Sequence, residues 1–449
     1  MLGTDLRPPW TSRRLSRALG AARTTGLSEI ITSAVVLANA ALGMIAQVVL
    51  ASRFGASRTL DGFFAASAAP FGIIGLAVTA FGAVMIPALG AAKDETERRR
   101  RTSELISAAV VIACVVAAAG LLAASVAAWT RAANSELRGA AIEAAPALWL
   151  ACGFGIVSQA ATALHHWRRR FVVAALVSAL FPLSLILSAI AFGDRYGTMP
   201  LAVGYALAGL SQCVILGLLE PEFPRRFVKP SPESIRIMQG SVVVSLAVLP
   251  TVLFPVSDAF WMAALNRPGL TYLNFAGRIT VAIAAIITTG TAVVSFPRFV
   301  ALATEHRYDA LEAELFSSLK RCIAILTVAA VSFFLVRNPL ISLLFEHGRF
   351  TATDRAALVR VLPFYLVGMI LMGCSNLVVR AYYAIGARIQ LAVLGVASVC
   401  FYTLCSGLLA HRLGYLGIGI AHTANWLLFV ASQLVILHRR LQALGDVGV

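Results

Sequence analysis

Charged residues are scarce in this sequence, and acidic residues most of all. Only 13% of the 449 residues are charged, with 21 Asp and Glu against 37 Lys and Arg, whereas about 25% is usual in soluble domains. Uncharged apolar runs recur along the chain instead, and at about 20 residues each can cross a bilayer. Since a backbone in lipid must satisfy its own hydrogen bonds, such runs form helices. The sequence therefore predicts an all-α, polytopic integral membrane protein.

The sequence also lacks the motifs of the common enzyme classes. It contains no P-loop, no HExxH and no GxSxG, and no segment outside the apolar runs is long enough for a catalytic domain. Its seven cysteines lie within apolar runs or at their ends and show no zinc-type spacing. We therefore expect a protein that is not an enzyme and has neither a cofactor nor a metal site.

The apolar runs divide into two sets of six. The expected spans are 28–50, 63–90, 104–128, 141–163, 171–192, 200–219, 237–262, 270–300, 318–336, 357–385, 389–410 and 415–437. Four prolines in "EPEFPRRFVKPSPESIRIM" separate the sixth span from the seventh, and prolines at this density cannot continue a helix. The expected units are a tail (1–27), a lobe (28–220), a linker (221–236), a second lobe (237–438) and a tail (439–449).

The excess of basic residues indicates orientation rather than a nucleic-acid partner. About 25 of the 37 Lys and Arg fall on one side of the twelve-span arrangement, in segments such as "KDETERRRR" and "HHWRRR". Lys and Arg excess marks the cytoplasmic side, so both termini are predicted to be cytoplasmic. The same residues can also contact anionic membrane lipids.

A weak internal repeat supports two related lobes. The segment 63–87 aligns with 273–297 at a constant offset of 210 residues, and both end in proline, at Pro87 and Pro297. An even number of spans in each half gives both halves the same orientation. Parallel repeats of this kind are a transporter architecture with the substrate site between the halves.

Few polar side chains interrupt the spans, and each is a candidate for lining a substrate cavity. They are Asn39, Gln47, Asp61, Asp258, Asn274, Arg278 and Asn376. Arg278 is the most informative, because an arginine inside a bilayer costs several kcal/mol unless it faces water or a partner. Asp258 and Arg278 are expected about 6 and 12 Å below the same membrane surface. The pair therefore has two interpretations, a structural ion pair or a substrate site in which Arg278 attracts an anion and Asp258 tunes it.

Three segments resemble the bacterial MviN/MurJ lipid II flippase family of the multidrug/oligosaccharidyl-lipid/polysaccharide (MOP) exporter superfamily. They are "LFEHGRFTATDRAALVRVLPFYLVGMI" with "VVRAYYAIG" (344–386), "RFGASRTLDGFFAASAAP" (53–70) and "YLNFAGRI" (272–279). The resemblance implies a MOP/MATE-like fold with two six-helix lobes. It also places Arg278 at the family's cavity arginine and Asp258 near an acidic or amide position of the seventh span.

The chain departs from the family pattern in its first two spans. Where the family has further cavity arginines, this chain has Ala40, Ala46 or Gln47, and Ile74 with Gly75. It also ends after twelve expected spans, whereas the lipid II flippases have two more. A cavity with one arginine holds a diphosphate less strongly, so another lipid-linked sugar fits it better than lipid II.

The sequence therefore predicts a flippase that moves a polyprenyl-diphosphate-linked oligosaccharide across the bacterial inner membrane by alternating access. The glycan would be an exopolysaccharide, O-antigen or peptidoglycan-type precursor, with a coupling ion and glycan-assembly proteins as further partners. Two alternatives stay open. A cation-coupled multidrug exporter of the same superfamily requires acidic cavity residues, and a non-transporting scaffold of a glycan-synthesis complex requires no transport at all.

Overall fold

The structure is a computed structural model that describes residues 12–129, 135–224, 226–247 and 249–447. These residues form fourteen helices and no strand. The helices are α1 (Ser12–Phe54), α2 (Arg58–Gly90), α3 (Glu95–Trp129), α4 (Glu136–Trp167), α5 (Phe171–Ser178), α6 (Leu180–Tyr196), α7 (Met199–Leu219), α8 (Pro232–Ala247), α9 (Leu249–Ala264), α10 (Leu270–Thr304), α11 (Tyr308–Phe345), α12 (Ala352–Ala384), α13 (Arg388–Leu413) and α14 (Tyr415–Val447). The all-α prediction is confirmed.

Fourteen helices cover twelve expected spans. The fifth expected span is divided into α5 and α6 next to Pro182, the third residue of α6, which has no N–H to complete a helical hydrogen bond to α5. The helices α8 and α9 meet at residue 248, which lies outside the described residues. Among the described residues, ten helices are long and apolar enough to cross a membrane, with α5 and α6 counted together. The other two expected spans correspond to α8–α9 and to α10, which is 35 residues long.

The helix α1 is longer than the first expected span. It begins at Ser12, so residues 12–27, expected as part of a tail, continue the helix, and residues 1–11 lie outside the described part. The expected linker agrees more closely, since α7 ends at Leu219 and α8 begins at Pro232.

The two halves of the chain pack in the same pattern. In the N-terminal lobe, α4 packs against α2, α3 and α7, and α1 packs against α5 and α6. In the C-terminal lobe, α12 packs in the same way against α10, α11 and α14, and α8 and α9 pack against α13. Between the lobes, α2 contacts α8, α9 and α10, and α1 contacts α10 and α11. The fold therefore places α1, α2, α9 and α10 at the boundary where the sequence candidates were expected.

Gly72 allows the lobes to approach closely along this boundary. A Cβ atom at Gly72 would lie 2.6 Å from Cγ1 of Val252 on α9, which is shorter than any relaxed carbon–carbon contact. The absence of a side chain there sets the spacing between α2 and α9.

Candidate substrate cavity between the lobes

The lobes are joined at the face where α1 turns into α2, called here the turn face. The side chain of Asp61, fully buried on α2, accepts hydrogen bonds from three groups at the start of α10. The donors are the backbone N–H of Gly269 at 2.9 Å, and the N–H and hydroxyl of Thr271, both at 2.6 Å. A carboxylate at a helix N-terminus satisfies N–H groups that have no partner in the helix. Asp61 therefore connects one lobe to the first turn of a helix in the other.

Two glycines bring the lobes together beside Asp61. Gly55 and Gly348 have φ angles of 61° and 63°, values that glycine adopts without steric cost. A Cβ at Gly348 would lie 2.2 Å from the carbonyl oxygen of Ser52, which also accepts a 2.8 Å hydrogen bond from the N–H of Arg349. The motif that suggested the family resemblance thus forms part of the contact that closes the turn face. Its Thr351 and Asp354 form a capping box at the start of α12.

Arg278 is exposed, although it lies about 12 Å along α10 from the turn face. Its neighbours Phe275, Ala276 and Ile279 are buried in the C-terminal lobe, so Arg278 points away from that lobe's core. It forms no hydrogen bond or ion pair with any described residue, and its one described interaction is electrostatic, with Tyr205 of the N-terminal lobe. Arg278 and Asp258 do not form the ion pair that was one interpretation of the sequence.

Two further candidates also have unused hydrogen-bonding capacity. Oδ1 of Asn274, one turn before Arg278, and Oε1 of Gln47 on α1 are buried and have no hydrogen-bond partner among the described residues. Gln47 lies about 10 Å along α1 from the turn face, at a depth between those of Asn274 and Arg278. Unpaired polar groups are costly inside a membrane. That these two amides meet a ligand stays a prediction.

The remaining candidates are placed differently. The amide of Asn39 donates to the carbonyl of Ala175 at 2.5 Å and to Oγ of Ser178 at 2.7 Å, which holds α1 against α5 within the N-terminal lobe. Asn376 is exposed on α12. A role of either in binding substrate stays a prediction.

Asp258 lies inside the C-terminal lobe. Its carboxylate accepts a 2.5 Å hydrogen bond from the hydroxyl of Tyr402 on α13, and its exposure is only 7%. His422 of α14 stacks on Tyr365 at 4.4 Å between ring centroids and lies edge-on to Tyr402. Beside this group, Oγ of Ser406 has no hydrogen-bond partner in the described structure. Asp258 therefore belongs to a buried polar group within one lobe, which the sequence did not indicate.

Tyr205 of α7 interacts electrostatically with Arg278, and sequence reasoning did not select it. Its ring lies 4.5 Å from that of Phe71, 5.5 Å from Phe181 and 6.3 Å from Phe63, between ring centroids. The signal available was weak, because Tyr205 is simply the one aromatic residue in the span 200–219.

Ala46 and Ile74 stand at positions where the family was expected to have further arginines, and both are packed against other helices. Ala46 is 1% exposed in the core, and Ile74 points at α4, where its Cδ1 would lie 2.6 Å from a Cβ at Gly155. Both side chains are therefore packed within the protein, and a role of Gln47 in lining a cavity stays a prediction.

At the opposite face, called here the linker face, the linker is fixed to the N-terminal lobe. Arg168 lies 2.7 Å from Glu220 and 2.8 Å from Glu222, and Arg98 lies 3.1 Å from Glu222. Burial raises the pKa of the Glu222 carboxyl, but the hydrogen bonds and charges of Arg98 and Arg168 outweigh it and hold the pKa below its ordinary value. These residues surround a cleft of about 430 Å³. Because its arginines are matched by carboxylates, the cleft is an attachment point for the linker.

The start of α8 is held by the same lobe. Ser231 and Ser234 donate hydrogen bonds to the buried carboxylate of Glu104 on α3, the Ser234 bond at 2.6 Å. Arg101 of α3 also lies 2.8 Å from Glu233. The linker is therefore bound to the N-terminal lobe at both of its ends.

Two lobes of six spans, packed alike and joined at the turn face near an arginine that has no partner among the described residues, define a multi-pass membrane transporter of the MOP type. Solved structures agree with this class. A lipid II flippase MurJ in an inward closed conformation is similar with a TM-score of 0.78 and 16% identity, covering 93% of this chain and 90% of that one. An inward-facing MATE multidrug resistance transporter has a TM-score of 0.77 and 14% identity, covering 94% and 99%.

The chain belongs to the lipid II flippase MurJ family, whose model matches residues 50–448. A probable lipid II flippase MurJ of Bdellovibrio bacteriovorus is 20% identical over 225 residues, which are 49% of this chain and 43% of that relative. The match thus spans less than half of the relative's length. The resemblance that the sequence motifs indicated is confirmed.

Proposed function

We propose that the protein flips a polyprenyl-diphosphate-linked oligosaccharide across the bacterial inner membrane. The observation that carries this proposal is Arg278, an exposed cation inside a bilayer-length helix with no partner among the described residues. A diphosphate supplies the anion that such an arginine lacks, and a charge-assisted hydrogen bond of this kind is worth about 1.5–3 kcal/mol. The polyprenyl tail stays in the lipid while the diphosphate and the sugars cross between the lobes.

Transport by alternating access is supported by the non-covalent contacts that join the lobes at the turn face. The turn face is closed by contacts between the lobes through Asp61 and Gly348. These contacts must break for a substrate to leave on that side, and they involve no covalent link. The lobes can therefore rock about the boundary of α2 and α9, where Gly72 sets the spacing.

The linker face is proposed to be cytoplasmic, because most basic residues lie there. Single cysteines tested with a membrane-impermeant maleimide will check this. Substitutions at Arg99, Arg169 and Arg226 should react only from the cytoplasm, and those at Ser57, Gly197 and His347 only from the periplasm. Reaction of Ser57→Cys and Arg99→Cys from the same side would contradict the twelve-span arrangement.

A cation-coupled multidrug exporter is the less supported alternative. Such an exporter needs carboxylates available to a drug or ion in the cavity, but Asp61 and Asp258 are buried and hydrogen-bonded within the protein. The decisive experiment is mass spectrometry of lipid extracts after depletion of the protein. A flippase predicts accumulation of one lipid-linked oligosaccharide, restored to normal by the wild-type gene but not by Arg278→Gln. Unchanged lipid-linked intermediates would contradict the proposal, and rescue by Arg278→Gln would favour a scaffold.

A further inference from the structure

The gap between the lobes holds hydrogen-bonding groups that a diphosphate does not use. Arg278 supplies the donors for an anion, whereas the side-chain oxygens of Gln47 and Asn274 are acceptors, and both are buried without a partner among the described residues. Gln47 is 94% buried, since its exposure is 6%. An acceptor repels the oxygens of a phosphate or a carboxylate. These two amides need a ligand that donates hydrogen bonds.

Two aromatic side chains of the N-terminal lobe lie near Arg278. Tyr205 interacts electrostatically with Arg278 across the lobe boundary, and its ring is packed against Phe71 of α2 at 4.5 Å. Both rings are only partly buried, whereas Phe63 behind them is 1% exposed. The Tyr205 hydroxyl forms no hydrogen bond with a described residue, so it too is available to a ligand.

The depths of these groups agree with one binding region. Along their helices, Asn274, Gln47 and Arg278 lie about 6, 10 and 12 Å from the turn face. The helices that carry them, α1 and α10, are in contact. A region with a cation, two acceptors and an aromatic surface has the mixture of apolar lining and few convergent polar groups that is typical of a small-ligand site.

Resting on the proposed function, we propose that Tyr205, Phe71, Gln47 and Asn274 form a subsite for an uncharged, hydroxyl-bearing sugar adjacent to the diphosphate held by Arg278. The apolar C–H face of the sugar covers the two rings, and its hydroxyl or amide N–H groups donate to Gln47 and Asn274. A sugar acid at this position brings a carboxylate toward two acceptors and is excluded. The subsite therefore selects the first sugar of the glycan.

The test measures binding of three undecaprenyl diphosphates to the purified full-length protein by native mass spectrometry. One probe carries no sugar, one carries a single N-acetylhexosamine and one carries a single hexuronic acid. We expect the N-acetylhexosamine probe to bind about 10-fold more tightly than the bare diphosphate, since each added hydrogen bond contributes about 0.5–1.5 kcal/mol. The hexuronic acid probe is expected to bind no more tightly than the bare diphosphate.

Variants separate the subsite from the diphosphate site. Gln47→Leu and Tyr205→Leu should each weaken binding of the N-acetylhexosamine probe by about 3- to 10-fold and leave the bare diphosphate unchanged. Phe63→Leu, which alters the same aromatic cluster behind the exposed rings, is the matched control and should leave the preference for the sugar intact. Arg278→Gln should weaken all three probes alike.

Each outcome has one meaning. Equal weakening of the sugar-bearing and bare probes by Gln47→Leu or Tyr205→Leu, or no weakening at all, overturns the subsite while leaving the flippase proposal in place. Tighter binding of the hexuronic acid probe than of the N-acetylhexosamine probe also overturns it. If no probe binds the wild-type protein, or if Arg278→Gln changes none of them, the proposed function itself fails and the subsite with it. Circular dichroism and the thermal unfolding temperature of every variant identify any that do not fold. If Tyr205→Leu does not fold, Tyr205→Phe, which keeps the ring and removes only the hydroxyl, replaces it.

Discussion

Removing the Asp61 carboxylate should open the turn face. In Asp61→Ala the N–H groups of Gly269 and Thr271 lose their acceptor while the lobes are closed, but water reaches them once the lobes separate. Each buried, unpaired donor costs about 1–3 kcal/mol, so with two such N–H groups the closed state should lose about 2–6 kcal/mol relative to the open one. That shift corresponds to about a 30- to 20,000-fold change in the ratio of the two states.

The assay is the rate at which a periplasmic, membrane-impermeant maleimide labels a cysteine placed at Val281. Val281 is 51% exposed and lies one turn beyond Arg278 on the same side of α10, so it reports whether the cavity is open. Mass spectrometry of the peptide that carries it separates this cysteine from the seven native ones. Asp61→Ala should raise the labelling rate at least 10-fold, and Asp61→Asn, which keeps one carbonyl acceptor, should raise it less.

Asp194→Ala is the matched control. It removes two exposed ion pairs at the same face, one with Arg53 at 2.7 Å and a longer one with Arg349 of the other lobe at 4.0 Å, and exposed pairs contribute at most about 1 kcal/mol each. Its labelling rate should stay close to that of the wild type. An unchanged rate in a folded Asp61→Ala variant would refute the assignment of Asp61 to closure of the turn face.

Three further predictions concern substrate, charge and pH. The unaltered protein should not replace a lipid II flippase in a depletion strain, because Arg278 is the one arginine proposed to bind the diphosphate; full complementation by the wild type would disprove this. Gln47→Arg should raise the affinity of the protein for bare undecaprenyl diphosphate by about 10-fold in a binding assay. Exchanging the charges of Arg278 and Asp258 should abolish transport, since the two do not pair; normal transport of lipid-linked substrate by the exchanged variant would show that they do. Arg168→Ala should destabilise the protein by about 3 kcal/mol at pH 7 in thermal unfolding, because it leaves the buried carboxylate of Glu220 without a cation and Glu222 with Arg98 alone. Since the pKa of Glu222 is held below its ordinary value of 4.5, its pairing stabilises the fold above that pH and is lost as the pH falls through the folded-state pKa. The effect of Arg168→Ala should therefore shrink as the pH falls below 4.5, and an undiminished effect there would contradict the assignment.

The helices were predictable because a backbone in lipid must satisfy its own hydrogen bonds, which an apolar run does by forming a helix. Apolar length gave the spans, and Pro182 marks the one that the structure divides into two helices. The MOP-type architecture followed from motifs such as the one containing Gly348, whose positive φ and close contact with Ser52 explain why a glycine stands there.

The site was less predictable because the positions of polar residues along a span do not reveal how the helix is oriented about its own axis. Arg278 and Gln47 lie on α10 and α1, which contact each other across the lobe boundary. Asp258 instead accepts a hydrogen bond from Tyr402 within one lobe, and its depth along the helix relative to Arg278 gave no sign of that. Tyr205 was missed for a related reason, since one aromatic residue in an apolar helix resembles any other core residue. Which neighbour a side chain meets depends on packing between segments far apart in sequence.

The attachment of the linker to α3 and α4 changes what the connection between the lobes does mechanically. A linker of this length without such contacts would be a flexible tether, and the entropic cost of holding its ends together would change only slowly with its length. Here Arg168 pairs with Glu220 at the start of the linker, and Glu104 accepts a hydrogen bond from Ser234 at its end. The first turn of α8 therefore moves with the N-terminal lobe, although it begins the second half of the chain. The connection therefore behaves as a rigid lever arm, and inserting residues between Phe227 and Lys229, which lie between two anchors on the same lobe, should leave the movements of the lobes coupled.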